Sequence, residues 1–509
     1  MKLRAFTTSL ALAACLASAG QSAQTRSEDA RLKEAAAAIG RGDLNSAERT
    51  LRAIVKTDRR SAAAFNLLGF VLFHRGQTRE AESSLRQSLA LAPAFNAARI
   101  NLGNLLVASG RFNEAESEFK RVLSTESNNT AALAALAGVY SAQGKWDRAI
   151  AEIERARAIE PDNARFSLML ADALLKANRA EQAQSIIARL TEKAQSEPEL
   201  FAALGVMLTQ NNLYSQSLPL IEAAIRNGQR SFETYYTLGF ALYKAGRIKE
   251  AENALRIAFR ERPESAEVHF ALGLVFASTG NDEDAVASLG RAASLRPSFA
   301  EAWFEIGRLY LKHDRFEAAV SALTRAVVAS PKNALYPAWL GDAYYYWGQF
   351  DRARENYSRA YAIAPSAADI NYRLGAFNLK TGQFLEAEVY LKREVEFHPN
   401  HIEAHAALGE LFLLNGRDSE AEMSLARALR LKADHANAMF QTGRLRVRQQ
   451  RFDEAREAFE KTALLDPRNA QVHYQLFLIY RRAGEREKAA RELEIFQKME
   501  RGLKPPESR

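Results

Sequence analysis

From position 69 to position 443, glycines recur at multiples of 34 residues, as in Asn66-Leu67-Leu68-Gly69, Asn101-Leu102-Gly103, Ala271-Leu272-Gly273, Trp339-Leu340-Gly341 and Ala407-Leu408-Gly409. A fixed period of this length means that one supersecondary unit is copied along the chain, each copy burying its apolar face against its neighbours. With the unit set to begin at Ala62, thirteen copies fill 62–503 without insertion or deletion, and a divergent fourteenth fits at 28–61.

Each recurring residue type has a physical reason. The eighth position is Gly or Ala in every unit except the last, where it is Phe477. The twentieth is Ala from Ala47 to Ala489, with Ser217 the one exception. Two antiparallel helices approach closely only where both present small residues, so these positions predict a crossing. The fifteenth position is Gly, Asn or Asp in thirteen units, the residues that tolerate the left-handed backbone closing a helix. Proline takes the thirty-second position in eight units, from Pro93 to Pro467, and cannot continue the helix before it. Larger apolar residues at positions 7, 11 and 24 (Leu68, Leu72 and Leu85 in the second unit) supply the core. The units at 164–231 lack both the turn glycine and the terminal proline, which predicts the softest stretch there.

Helix, tight turn, helix and proline turn in this register resemble the tetratricopeptide repeat. The resemblance implies an all-α, right-handed α-solenoid superhelix of about 14 tandem helix pairs, the first helix of each lining a concave groove. It also implies a non-catalytic role, binding a protein or peptide segment in that groove. The array resembles that of O-linked N-acetylglucosamine transferase, but no glycosyltransferase segment follows the repeats in this sequence.

The first residues read differently. Lys2 and Arg4 precede an uncharged, mostly apolar run at 5–16, followed by Ala17-Ser18-Ala19. This is the order of a secretory signal peptide at 1–19, with a short linker at 20–27 and a tail at 504–509. The run is too short to span a bilayer. Leu12-Ala13-Ala14-Cys15 resembles the lipobox of bacterial lipoproteins, so Cys15 is either an acylated anchor or simply a small residue of the leader. The expected location is exported: periplasmic or envelope-associated. The net charge of +8 is spread along helix faces with both signs alternating, unlike the concentrated basic stripe of a nucleic-acid binder.

Catalytic and metal motifs are missing: there is no phosphate loop, His-Glu-x-x-His pair, nucleophile elbow or Cys-x-x-Cys. No cofactor is expected. His401 and His405 lie four apart, a spacing that could serve zinc. Yet His405 holds the fourth position of its unit, as do His269, His473 and Trp303, which favours a shared packing slot.

By the resemblance, positions 2, 5, 9, 12 and 13 line the groove. There the chain carries Tyr236, Phe240, Tyr243, Phe270, Phe304, Tyr345, Tyr346 and Tyr372. Lined-up aromatics are anchors for a bound segment. Arg444, Arg448, Arg481 and Arg482 make the far end basic. Lysine is missing from position 5, unlike the family members that clamp Hsp70 and Hsp90. Two functions remain: a scaffold for an envelope or secretion complex, or a substrate-binding carrier of a glycosyltransferase or polysaccharide-export system.

Overall fold

The computed structural model describes residues 23–503 and the side chains of 30–502; the expected leader, Cys15 and the tail lie outside the described residues. Twenty-eight helices and no strand occur among the described residues, from α1 (Ala23–Gly40) to α28 (Arg486–Leu503). Helix α1 starts inside the stretch read as a linker. The chain divides into two compact units, 1–258 and 259–509. Within each, every odd-numbered helix packs on the even-numbered one that follows, and consecutive pairs then stack.

The crossing expected from the small residues is what holds each pair. In α3 (Ala62–His74) and α4 (Thr78–Leu91), Ala81 is fully buried and Gly69 lies against Leu85. A methyl group on Gly69 would stand 2.5 Å from Leu85 Cγ, and one on Gly103 would stand 2.5 Å from Phe119 Cε1. Neither pair can accept a side chain without losing that contact. The twentieth-position side chains from Ala47 to Ala455 are all fully buried, and Ala489 nearly so. Ser217 is buried as well; its hydroxyl donates to Gly205 O at 2.7 Å and meets Thr209 Oγ1 at 2.5 Å. The exception therefore carries its own hydrogen-bond partners, as a buried hydroxyl must.

The turn inside each pair is left-handed in every unit. Gly42 has φ 79°, and Asn178, Asn212, Asp314 and even Gln450 take φ of 54–61° at the same place. Within each compact unit first helices also touch the first helices of neighbouring pairs, as α3 touches α5 and α23 touches α25.

Candidate functional site

In the first compact unit, the first-helix face of α13 (Phe232–Lys244) carries a ladder of rings. Phe232 stacks on Tyr236 with centroids 6.0 Å apart, and Tyr236 on Phe240 at 6.3 Å. Spacings of three and four residues put these side chains on one helix face. The Lys244 ammonium sits 5.6 Å from the Phe240 centroid and 5.7 Å from that of Tyr243. Tyr236, Phe240 and Tyr243 are all half-buried, each keeping one side in solvent.

In the second unit the expected anchors separate into two groups. Phe304, on α17 (Ala300–Lys312), is only 9 % exposed, packed against Tyr336 at 5.2 Å and Trp339 at 5.7 Å. This corrects its assignment as an open anchor: the next first helix, α19 (Leu335–Tyr346), covers it with its own aromatics. Phe270, on α15 (Ala266–Ser278), is half-buried against Phe299 at 4.8 Å. Tyr372, on α21 (Ile370–Lys380), packs on the His401 ring at 5.0 Å, and burial pushes its phenol up to about 12. Phe304 thus lies inside the stack, and Phe270 and Tyr372 are half-covered by it.

Tyr346 is open, and half-buried Tyr345 lies beside it. Tyr346 is 63 % exposed, stacked at 6.2 Å on Phe316 of α18 (Phe316–Ala329). Tyr345 touches Tyr346 at 5.3 Å and Phe350, itself 50 % exposed, at 5.7 Å on α20 (Phe350–Ile363). Trp347 stacks on Tyr344 at 6.5 Å and is also exposed. Sequence reading missed Phe316, Trp347 and Phe350 because they lie at the inter-helix turn rather than at assumed groove positions. The aromatic run Tyr344–Trp347 followed by Phe350 was the available signal.

Sequence reading also missed a polar junction between first helices. Trp339 lies between two guanidinium groups, Arg308 at 5.5 Å and Arg373 at 4.9 Å. Arg373 pairs with Asp342, which also accepts a hydrogen bond from Tyr357 at 2.7 Å. Burial pulls the Arg373 guanidinium down to about 10, still charged at neutral pH.

The basic end is less open than its composition suggests. Arg448 donates to Leu413 O at 2.7 Å and pairs with Asp418 at 3.3 Å, while half-buried Arg444 donates to Gln441 at 2.9 Å. Arg481 and Arg482 are exposed, resting over Phe477 at 5.1 Å and Phe452 at 3.8 Å.

The fourth-position slot has a structural explanation. The Nε2 atoms of His269, His405 and His473 lie 2.9, 3.0 and 3.2 Å from the carbonyl oxygens of Pro263, Pro399 and Pro467. Trp303 Nε1 donates to Pro297 O at 3.2 Å, and Asn371 Nδ2 to Pro365 O at 2.7 Å. Each ties a first helix to the proline turn before it. His401 instead accepts from Ala404 N at 3.1 Å through Nδ1 and meets Asp369 at 2.7 Å through Nε2. Both nitrogens of His401 are thus engaged, and it does not converge with His405. No group of three or more metal-ligating side chains occurs among the described residues. No helix among them is long and apolar enough to cross a membrane.

Comparison with known proteins agrees with the geometry. Tetratricopeptide repeat models match residues 72–139, 106–160 and 140–206, and again 32–94, 236–294, 281–334 and 440–502; a TPR repeat model matches 341–382. Comparison with curated protein sequences gave no match. Among solved structures, the chain is similar to that titled "Crystal structure of APC/C hetero-tetramer Cut9-Hcn1", at 14 % identity and TM-score 0.48, covering 89 % of this chain and 96 % of that one. It is also similar to "Functional Characterization of Pseudomonas Aeruginosa pilF", at 18 % identity and TM-score 0.37, covering 41 % of this chain and 94 % of that one. The register of small residues, the left-handed turns and the matched repeat models place this chain in the tetratricopeptide repeat family.

Proposed function

We propose that the chain is an exported, non-catalytic scaffold that holds a segment of a protein partner on its first-helix side, in the assembly of an envelope or secretion complex. The observation that carries this is the open aromatic group of Tyr346, Trp347 and Phe350, which the fold leaves exposed around half-buried Tyr345 although its core is complete. Exposed rings with fixed rotamers and few torsions are the usual anchors of protein interfaces. The ladder on α13 is a second such surface. Export rests on the charge and apolar order of residues 1–19.

A photo-crosslinking residue at Tyr346 of the full chain, used in envelope extract, should trap a protein that the same residue at Val328 does not. Val328 is 75 % exposed on a second helix and serves as the control. Tyr346→Ala with Phe350→Ala should then weaken binding of the identified partner at least about tenfold, because anchors of this kind are each worth about 2 kcal/mol. Helicity should stay unchanged. If only glycan is trapped, the carrier reading replaces the scaffold reading; if nothing is trapped above the control, both fail at this surface.

A further inference from the structure

Between α10 (Ala180–Lys193) and α12 (Tyr214–Arg226), the second helices of the fifth and sixth units, the surface opens into a cleft of about 710 Å³. That volume is in the range of ligand-binding pockets. Its floor is core: Ile187, Leu208 and Phe201 are each at most 5 % exposed, yet their atoms line the cleft. Ala188 and Pro219 leave the walls low.

Along α2 (Leu44–Thr57), α4 and α6 (Phe112–Thr125) of the same compact unit, ion pairs bridge successive second helices. Arg52 of α2 meets Glu80 of α4 at 2.7 Å. Glu82 of α4 meets Arg111, at the start of α6, at 2.8 Å. The equivalent positions of the fifth and sixth units hold Ala188 opposite Gln216, and Gln184 opposite Leu213. No ion pair joins α10 to α12 among the described residues.

The rim is chemically specific. Gln184 and Gln195 stand on one side and Gln216 on the other, their amide groups making no hydrogen bond among the described residues. Each amide offers one acceptor and two donors, which matches the main chain of an extended peptide. Gln184 stands on α10 and Gln195 in the turn that follows it. Arg226, exposed and without an ion pair among the described residues, is the one charged residue lining the cleft. An unpaired guanidinium over an apolar floor selects a carboxylate.

We propose that the α10–α12 cleft is a second binding site, for an extended peptide that places an apolar side chain against Ala188, Pro219 and Ala223 and a carboxylate against Arg226. It lies on the second-helix side, away from the first-helix rings, and does not depend on them.

The test is selection of a random heptapeptide library displayed on phage against the full chain. Wild-type protein should enrich peptides that pair Asp or Glu with an apolar residue. Their synthetic forms should bind at least tenfold more weakly to Ala188→Trp, which fills the cleft, and to Arg226→Glu. Tyr236→Ala and Tyr346→Ala should bind them unchanged, separating this site from the proposed first-helix surface. Ala188 and Arg226 are exposed, so both variants should keep wild-type helicity, which is measured alongside. No enrichment above the Ala188→Trp background overturns the proposal. So does enrichment of peptides without an acid, of peptides indifferent to Arg226→Glu, or of peptides that bind only as helices.

Discussion

The seam from α2 through α4 to α6 and the seam from α10 to α12 share a crossing of small buried residues, with Ser217 in place of one alanine, and differ most in what lies outside it. In the first, Arg52–Glu80 and Glu82–Arg111 bridge successive second helices. In the second, Ala188, Gln216, Gln184 and Leu213 take those places and a cleft opens between the helices. Yet the crossing is kept in both: Ala81 and Ala115 in one, Ala183 and Ser217 in the other, are all fully buried. The crossing has no room for variation, whereas the seam does, so the repeat can open its surface there without losing its register.

The largest effects should therefore come from the crossing, equally in both regions. Ala115→Glu and Ala183→Glu each force a carboxylate into a space with no room and no partner. Each should cost about 3 kcal/mol or more and unfold the surrounding pairs, seen as lost circular dichroism and lost amide protection. If Ala183→Glu is tolerated while Ala115→Glu is not, the fifth and sixth units do not share the crossing, and the expectation of a soft stretch at 164–231 is sharpened into a loss of packing. If both fail alike, the two seams differ at the surface alone.

A smaller effect belongs to a third kind of seam, where charge is buried. Glu394 of α22 (Phe384–Phe397) is fully buried, and its carboxylate accepts from Asp369 N at 3.0 Å and Tyr372 N at 3.1 Å, capping α21. Asp369 takes φ 67° there, a left-handed conformation unusual for a non-glycine residue. His401 faces Asp369 at 2.7 Å, Glu394 at 3.7 Å and Glu403 at 3.6 Å. Burial and the loss of Nδ1 as acceptor for Ala404 N oppose the charged imidazole, but the Asp369 hydrogen bond and the three carboxylates raise His401 above 6.5. A raised folded value means that the stabilisation is fully present below about pH 6.5 and fades as pH rises through the higher folded value. Asp369 is lowered, first by its hydrogen bond to His401, so it stays ionised over that range. First-turn amides of α21 should exchange a few-fold more slowly at pH 6 than at pH 8, after correction for intrinsic rates. His401→Asn, which keeps a cap acceptor but no charge, should flatten that difference. His405 and His435 are lowered, chiefly by burial, so global melting would mix opposite signs and the local amides are the readout. An unchanged pH response in His401→Asn would place the effect elsewhere.

How much of this could be read from the sequence follows from how many neighbours a residue must satisfy. A crossing admits only small side chains, so Gly69 or Ala319 declares its role by type and spacing alone. A left-handed turn is nearly as restrictive, and only Gln450 disguised it. An aromatic ring is different, since Phe304 and Tyr346 are the same kind of residue on the same helix face until their neighbours are known. Tyr336 and Trp339 bury Phe304, whereas the turn into α20 leaves Tyr346 in solvent. Glu394 was missed for the opposite reason: a carboxylate on a second helix reads as a solvated face unless its backbone partners are seen. The cleft was legible only as a departure, a stretch that lacked its glycine and proline and was read as soft.

The smallest effect is the one that turns one seam into the other. Ala188 and Gln216 occupy the positions held by Arg52 and Glu80, so Ala188→Arg with Gln216→Glu should install the missing pair. Arg52 and Glu80 are 47 % and 56 % exposed, and pairs so exposed rarely contribute more than about 0.5 kcal/mol. The two new side chains also pay rotamer entropy to meet, which further limits the gain. A double-mutant cycle on unfolding of the α10–α12 region should therefore show a coupling of about 0.5 kcal/mol at low salt. In 1 M salt, where the screening length is about 3 Å, it should vanish. Because the pair would span the cleft mouth, its geometric effect should exceed its energetic one: Gln195 and Arg226 should lose solvent access while global stability barely moves. A coupling near zero at low salt, with the cleft still open, would mean that Ala188 and Pro219 keep the helices apart by their backbone course. In that case the ion pairs of the α2–α4–α6 seam would decorate a contact already made, rather than close it.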